Sequence, residues 1–83
     1  MYRYLILCRS LTYAQRAARL LERAGMTVTL MKTPQQLTTG GCGYAVGLRK
    51  APDAAVRVLA DGSIPFGRVY EREESGEYRE VSP

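Results

Sequence analysis

The stretch YRYLILC, residues 2–8, decides the fold, because it predicts a strand buried on both faces. It combines tyrosine, leucine and isoleucine, and it carries no charged residue after Arg3. Residues of these types favour extended backbone, and an apolar run of this length is typical of a central strand. We therefore predict a first strand over residues 2–8, near the middle of a sheet.

The segment after this strand predicts a helix that runs to about residue 24. Ser10 and Thr12 can each cap its first turn, and Gly25 can provide a left-handed stop. Small and apolar residues recur along the segment at helical spacing and form one face: Ala14, Ala17, Ala18, Leu21 and Ala24. A strand followed directly by an amphipathic helix indicates an α and β fold.

Further along the chain, the patterns predict four more strands and a second helix. Strands are expected at residues 27–31, 44–48, 66–72 and 77–81, and a helix at residues 52–60, closed by Asp61 and Gly62. The spacing of Thr33 and Gln36 around a proline is typical of a capping box and predicts one short helical turn. Residues 73–76 predict the turn before the last strand.

This order of elements predicts one α+β domain over residues 1–83, with a ferredoxin-like βαββαβ two-layer sandwich. The expected sheet is antiparallel, with strand order 4-1-3-2 and a short C-terminal β-hairpin extension. Since the first and third strands are then antiparallel neighbours, Cys8 and Cys42 are expected to lie close together. Two helices cover one sheet face, so the other face should be closed by a second chain or by the hairpin.

The composition is that of a small globular protein with a modest positive charge. The net charge is +4 and the pI about 9.4, and most of the cations are arginines. They are scattered along the chain, so the sequence favours no nucleic-acid partner. No apolar run is long enough for a membrane span, and no signal peptide opens the chain. We expect a cytoplasmic protein with reduced thiols.

The run TTGGCG, residues 38–43, places Cys42 among Gly40, Gly41 and Gly43, between two predicted strands. The chain contains no histidine, so nucleophilic chemistry would fall first to a cysteine. Glycines let backbone N–H groups converge on an anion, and the expected fold brings three possible anion stabilisers to the same sheet edge: Arg9, Ser10 and Thr12. Alternatively, the glycines only shape a loop and Cys42 has no chemical role.

Cys8 allows two interpretations. At a strand end it could be an inert packing residue, or it could act as the resolving thiol for Cys42. Two cysteines without histidine cannot complete a zinc site in one chain, so we expect no metal.

The chain has six tyrosines, which raise the possibility of an RNA-binding sheet. Tyr2 and Tyr4 are expected on one face of the first strand, with Tyr70 beside them. The third strand offers only Tyr44 and lacks the aromatic and basic run of RNA-recognition domains. Edge packing or a homodimer contact is therefore the favoured role.

Several pieces in order resemble the selenium/sulfur carrier protein-like family, a small bacterial family. They are the YLIL first strand, the Ser/Thr-started ALL helix that ends in Ala-Gly, Thr33-Pro34 before the loop, and the CGYAV run that begins at Cys42. The resemblance spans roughly residues 2–70. It implies that Cys42 carries sulfur or selenium as a persulfide or perselenide, and that Thr33, Pro34 and Gly43 shape the loop.

The leading hypothesis is thus a carrier protein rather than a turnover catalyst. Cys42 would accept a chalcogen atom from a donor protein and pass it to an acceptor protein, with no cofactor beyond the transient persulfide or perselenide. One alternative is a small ligand- or RNA-binding ferredoxin-like module that uses tyrosines and arginines. Another is a dithiol redox protein that cycles a disulfide between Cys8 and Cys42.

Overall fold

The computed structural model describes residues 2–38 and 43–82. Along the chain these form β1 (Tyr4–Cys8), α1 (Leu11–Arg23), β2 (Val28–Lys32), a 3₁₀ turn (Gln35–Leu37), β3 (Tyr44–Leu48), α2 (Asp53–Asp61), β4 (Val69–Arg72) and β5 (Tyr78–Val81). Neither of these helices has the length and apolar character that crossing a membrane requires.

The strands form one five-stranded antiparallel sheet in the order β2-β3-β1-β4-β5. The predicted ferredoxin-like four-stranded sheet with a hairpin extension is therefore wrong, because β5 is an integral edge strand. It pairs with β4 from Val69↔Val81 to Arg72↔Tyr78. The turn explains this register: the Glu73 N–H donates to the Glu77 carbonyl, and Gly76 adopts a φ of 91° that glycine tolerates. The turn thus directs β5 back along β4.

Helix α1 begins and ends at the residues that its local sequence predicts. The Ser10 hydroxyl oxygen caps it by accepting from the Tyr13 N–H at 3.4 Å. Gly25 follows with a φ of 89°, which confirms its left-handed stop. Ala24 forms the C-terminal cap and is exposed, so its predicted place on the apolar face is wrong.

The short turn before β3 is confirmed, but its predicted capping box is wrong. Pro34 occupies the N-cap position of the 3₁₀ turn, and no side-chain hydrogen bond caps it. The turn is instead closed by backbone bonds, in which the Leu37 N–H donates to the Pro34 carbonyl at 2.9 Å. Proline has no N–H of its own, and its fixed φ favours the start of a turn.

The main core lies between the sheet and the two helices. Ile6, Val46 and Val69 point into it from three neighbouring strands. Leu21 of α1 and Leu59 of α2 meet them and are fully buried. Alanines on α1, among them Ala14 and Ala17, let the helix backbone approach the sheet closely, as the helical spacing predicted.

The opposite face of the sheet carries no helix, yet Leu5 on it is 0% exposed. Leu5 pairs across the sheet with Gly47, and Tyr2 lies over that glycine. The Tyr2 hydroxyl forms a hydrogen bond with the Tyr78 hydroxyl, and the Arg72 guanidinium lies 5.1 Å from the Tyr2 ring centre. Closure of this face thus comes from Tyr2, which lies before β1, together with Tyr78 of β5.

Tyr2 and Tyr4 lie on opposite faces of the sheet, so the prediction that they share a face is wrong. Tyr4 packs against the helix-covered core, whereas Tyr2 covers Gly47. Strict alternation would have placed them together, but β1 begins only at Tyr4 and the chain bends at Arg3. The bend lets the Arg3 N–H donate to the Leu48 carbonyl while the Arg3 carbonyl accepts from the Arg72 N–H.

Candidate functional site at the carboxyl end of β1

The carboxyl end of β1 and the start of β3 meet at one end of the sheet, where Cys8 pairs with Tyr44. Gly43 precedes Tyr44, and its carbonyl accepts from the Thr33 N–H at 2.9 Å. Residues from three neighbouring strands therefore meet at this end of the sheet. Cys8 is the last residue of β1, Thr33 directly follows β2, and Gly43 directly precedes β3. The predicted topology placed the loop that contains Cys42 at this same end of the sheet.

Gly43 is held where a side chain would be crowded. A Cβ atom built on it would lie 3.0 Å from the Thr33 hydroxyl oxygen and 3.7 Å from the Cys8 carbonyl oxygen. The first distance is tighter than an ordinary van der Waals contact, so glycine lets β3 start directly beside Thr33. This close approach gives a physical reason for glycine at this position.

Cys42, Gly40 and Gly41, which the sequence analysis places at the centre of the site, lie outside the described residues. The predicted proximity of Cys8 and Cys42 therefore stays a prediction. What the structure describes is the frame around them, from Thr38 on one side to Gly43 on the other.

Cys8 is 6% exposed and belongs to the hydrophobic core. Its thiol donates a weak hydrogen bond to the Ile6 carbonyl at 3.8 Å. Burial raises the pKa of the Cys8 thiol to about 11, because the charged thiolate loses its hydration inside the protein. At neutral pH this cysteine is thus almost entirely in the unreactive thiol form.

Arg9 and Ser10 connect the end of β1 to the start of α1, and Thr12 lies in the first turn of that helix. Arg9 follows Cys8 directly, and both Arg9 and Thr12 are exposed. Ser10 is half-buried and uses its hydroxyl oxygen as the helix cap. The first turn of α1 contains no acidic residue, so no carboxylate of that turn offsets the positive end of the helix dipole. This arrangement favours an anion beside the β1 end.

Gly67 also contributes to this end of the sheet, although the sequence analysis assigned it no role. Its N–H donates to the Leu7 carbonyl at 2.7 Å, and an added Cβ would lie 3.3 Å from that same oxygen. The fourth strand consequently begins at Val69, later than predicted. A glycine inside a predicted strand was the signal that could have indicated this close approach.

A second concave site lies at the other end of the sheet, but it contains no thiol. A groove of about 190 Å³ lies at the opposite end of the sheet, between Met26, Leu48 and Ala54, and its lining contains no thiol or carboxylate. Across residues 2–38 and 43–82, no group of three or more acidic or cysteine side chains could hold a metal ion.

Comparisons with curated proteins and with solved structures found no match. A family model described as "Putative Se/S carrier protein-like" matches residues 3–71. The match runs from just before β1 to within β4, and so includes both helices and the edge formed by Cys8, Thr33 and Gly43. It covers well over half of the chain and confirms the resemblance drawn from the short motifs. The chain belongs to the Se/S carrier protein-like family.

Proposed function

We propose that this protein carries sulfur or selenium on the thiolate of Cys42, as a persulfide or perselenide. The observation that carries the proposal is the position of Gly43, the residue after Cys42, against the Cys8 backbone and Thr33. The end of the sheet formed by Cys8, Thr33 and Gly43 adjoins the N-terminus of α1, whose first turn lacks an acidic residue. A negatively charged sulfur or selenium atom would be favoured there.

In the proposed loading step, the Cys42 thiolate attacks the terminal sulfur of a persulfide on a donor protein. The donor's S–S bond breaks as the new bond to Cys42 forms, and the donor leaves as a thiolate. In the unloading step, a cysteine thiolate on an acceptor protein attacks the same terminal atom and releases the Cys42 thiolate. The atom that moves keeps its oxidation level throughout, so neither step needs an oxidant or a reductant.

Cys42 rather than Cys8 is assigned as the carrier for a physical reason. Cys8 is buried in the core, and its pKa of about 11 leaves very little thiolate at neutral pH. Attack on a donor protein requires a thiolate that the donor can reach. The same properties argue against a dithiol redox cycle, in which Cys8 would have to become a nucleophile.

We further propose that the loop glycines Gly40 and Gly41 and the neighbouring Arg9, Ser10 and Thr12 stabilise the anionic form of the loaded atom. Arg9 offers a full positive charge with an exposed side chain, and Ser10 and Thr12 offer hydroxyl donors. The chemistry requires a free thiol, which places the protein in a reducing compartment, the cytoplasm.

A matched pair of variants tests the assignment, since the chain has two cysteines. Wild type, Cys42→Ala and Cys8→Ala would each be incubated with a cysteine desulfurase and cysteine, then measured by intact-protein mass spectrometry. Wild type and Cys8→Ala should gain the mass of one sulfur atom, and the gain should disappear on reduction. Cys42→Ala should gain none.

Two results would overturn the proposal. One is loading of Cys42→Ala together with loss of loading in Cys8→Ala, which would assign the atom to the buried thiol. The other is no loading of wild type by the desulfurase or by a donor protein that carries a perselenide. Circular dichroism of each variant, compared with wild type, shows that the fold is retained. Parallel sulfur and selenium donors reveal which element is transferred more completely.

The tyrosines on the helix-free face, Tyr2 and Tyr78, are a weaker candidate for function. Tyr2 is engaged within the protein, since Arg72 covers its ring and Tyr78 bonds to its hydroxyl. Rings that stack on bases must present a free face. Tyr2 therefore supports the fold rather than an RNA-binding module.

A further inference from the structure

The two edges of the sheet differ in how they meet solvent. At the β5 edge, Arg79 forms ion pairs with Glu71 and Glu73, and Glu80 pairs with Arg68. Charged side chains of this kind protect an edge strand from pairing with another chain. The β2 edge has the sequence VTLMK, in which the one charged residue, Lys32, comes last. Among the described residues, several ion pairs thus protect the β5 edge, whereas β2 carries a single charge at its end.

The backbone of β2 presents a defined set of groups outward. The Thr33 N–H donates to the Gly43 carbonyl, so Thr33 points its backbone groups toward β3. In an antiparallel ladder this direction alternates, which turns Thr29 and Met31 inward as well. The N–H and carbonyl groups of Val28, Leu30 and Lys32 therefore point away from the sheet, toward solvent.

We propose that a second copy of this chain pairs with the β2 edge in antiparallel register, with the twofold axis at Leu30. Leu30 then faces the second copy's Leu30, and Val28 faces the second copy's Lys32. All three of these residues have outward backbone groups, so every free N–H and carbonyl of β2 gains a partner. Centring the pair one residue to either side would leave some of these groups unpaired. The proposal does not depend on the carrier function.

The side chains at this edge fit the same register. Leu30 is 41% exposed, and Leu11 at 39% is the other exposed large hydrophobic residue among the described ones. Pairing at the axis places the two Leu30 side chains side by side, with about 5.5 Å between their Cα atoms, so each removes apolar surface of the other from water.

The charges at the edge are also compatible with a twofold pair. Lys32 lies two residues from the axis in each copy, on opposite sides. The two Lys32 Cα atoms are then separated by roughly 13 Å along the strands, four residues at about 3.3 Å each. This exceeds the screening length of about 8 Å at physiological salt, so their repulsion is weak.

This arrangement keeps both candidate thiol sites accessible. Thr33 and Gly43 lie just beyond the end of β2, and antiparallel pairing sends the two copies' strand ends in opposite directions. The two sites would therefore sit at opposite ends of one continuous sheet. A donor protein could reach either site without displacing the second copy.

Sedimentation equilibrium over a concentration series tests the pairing, with Leu30→Lys as the disrupting variant and Leu11→Lys as the matched control. Wild type and Leu11→Lys should reach the dimer mass. Leu30→Lys places two like charges at the axis, which costs several kcal/mol, so its dissociation constant should rise by about a hundredfold or more. A monomeric wild type, or a Leu30→Lys protein that still dimerises like wild type, would overturn the proposal.

A crosslink tests the register directly. Leu30→Cys would be made in a Cys8→Ala, Cys42→Ala background and oxidised with glutathione disulfide. The expected Cα separation of about 5.5 Å lies within the range that a disulfide can bridge. Covalent dimer should form from Leu30→Cys and not from Leu11→Cys in the same background. Equal crosslinking of the two variants, or none from Leu30→Cys, would contradict the Leu30 axis.

Discussion

The two faces of the sheet bury their apolar residues in different ways. On one face, Ile6 and Val46 lie beneath α1 and α2. On the other face no helix is present, yet Leu5 and Ala45 are equally inaccessible to water. There Tyr2 lies over Gly47, the cross-strand partner of Leu5, and bonds to Tyr78.

This difference shows that a sheet can be closed either by a helix layer or by a few aromatic side chains that lie across small residues. Many residues of α1 and α2 contribute to the helix layer, so that cover does not depend on any single contact. The aromatic cover depends on a few contacts of Tyr2 with residues far away in the chain, namely Gly47, Arg72 and Tyr78. We therefore expect the helix-covered face to dominate stability and the other face to respond sharply at a few positions.

The largest loss is expected on the helix-covered face. Leu21→Ala removes a fully buried side chain and leaves a cavity, so the free energy of unfolding should fall by about 2–5 kcal/mol. Urea denaturation followed by circular dichroism measures the change. Leu11→Ala at the exposed start of α1 is the control and should cost much less. Equal losses would mean that α1 does not anchor this core.

A smaller loss is expected from Gly47→Ala on the helix-free face. The new Cβ would lie 2.9 Å from the Tyr2 Cβ, which is too close, so Tyr2 must move off the sheet. The free energy of unfolding should fall by about 1–3 kcal/mol, as for other overpacked sites. A double-mutant cycle with Tyr2→Gly tests the cause, because that variant also removes the Tyr2 Cβ and the alanine at 47 should then cost little. Simple additivity would show that Tyr2 does not cover Gly47.

The hydroxyl pair of Tyr2 and Tyr78 should contribute less. Tyr2→Phe and Tyr78→Phe each remove the same hydrogen bond and keep the rings, so each should cost about 0.5–1.5 kcal/mol. The double variant should cost no more than the larger single change. If the two losses add fully, the hydroxyls act independently and the bond is not the cause.

The same pair predicts a loss of stability at alkaline pH. Desolvation, together with the Tyr2 hydrogen bond, raises the pKa of Tyr78 from 10.0 to about 12. A pKa that is higher in the folded state means that this contribution is complete below pH 10.0 and is lost as the pH rises toward about 12. Denaturation at several pH values should show less of this loss in Tyr78→Phe. Because the Cys8 pKa is also raised, both proteins should carry Cys8→Ala.

The smallest effect is expected at the β5 edge. Arg68→Ala removes an ion pair with Glu80 whose nitrogen and oxygen atoms lie 3.9 Å apart, between two exposed side chains. Water and salt screen such a pair, so the free energy of unfolding should change very little. The change should shrink further in high salt. A loss as large as that of Gly47→Ala would show that this edge is more than a solvated surface.

Part of the candidate site could be read from the sequence and part could not. The short motifs identified the family, and they singled out Thr33 and Gly43, which the structure places in contact. The two interpretations of Cys8 remained open, because a thiol's burial depends on what packs around it. The structure buries Cys8 in the core that α1 completes, and burial raises its pKa to about 11, but its role as an inert residue or a resolving thiol stays a prediction. Cys42 keeps its predicted role as a proposal.

The sequence by itself determined the helices and strands, because their signals are local. Apolar spacing set the buried face of α1, Ser10 and Gly25 set its ends, and the apolar run of residues 2–8 set the central strand. Tertiary structure alone decided that β5 joins the sheet and that Tyr2 crosses to the helix-free face. Both outcomes depend on contacts between residues distant in the chain, and no local pattern encodes which distant partner a strand edge or an aromatic ring will meet.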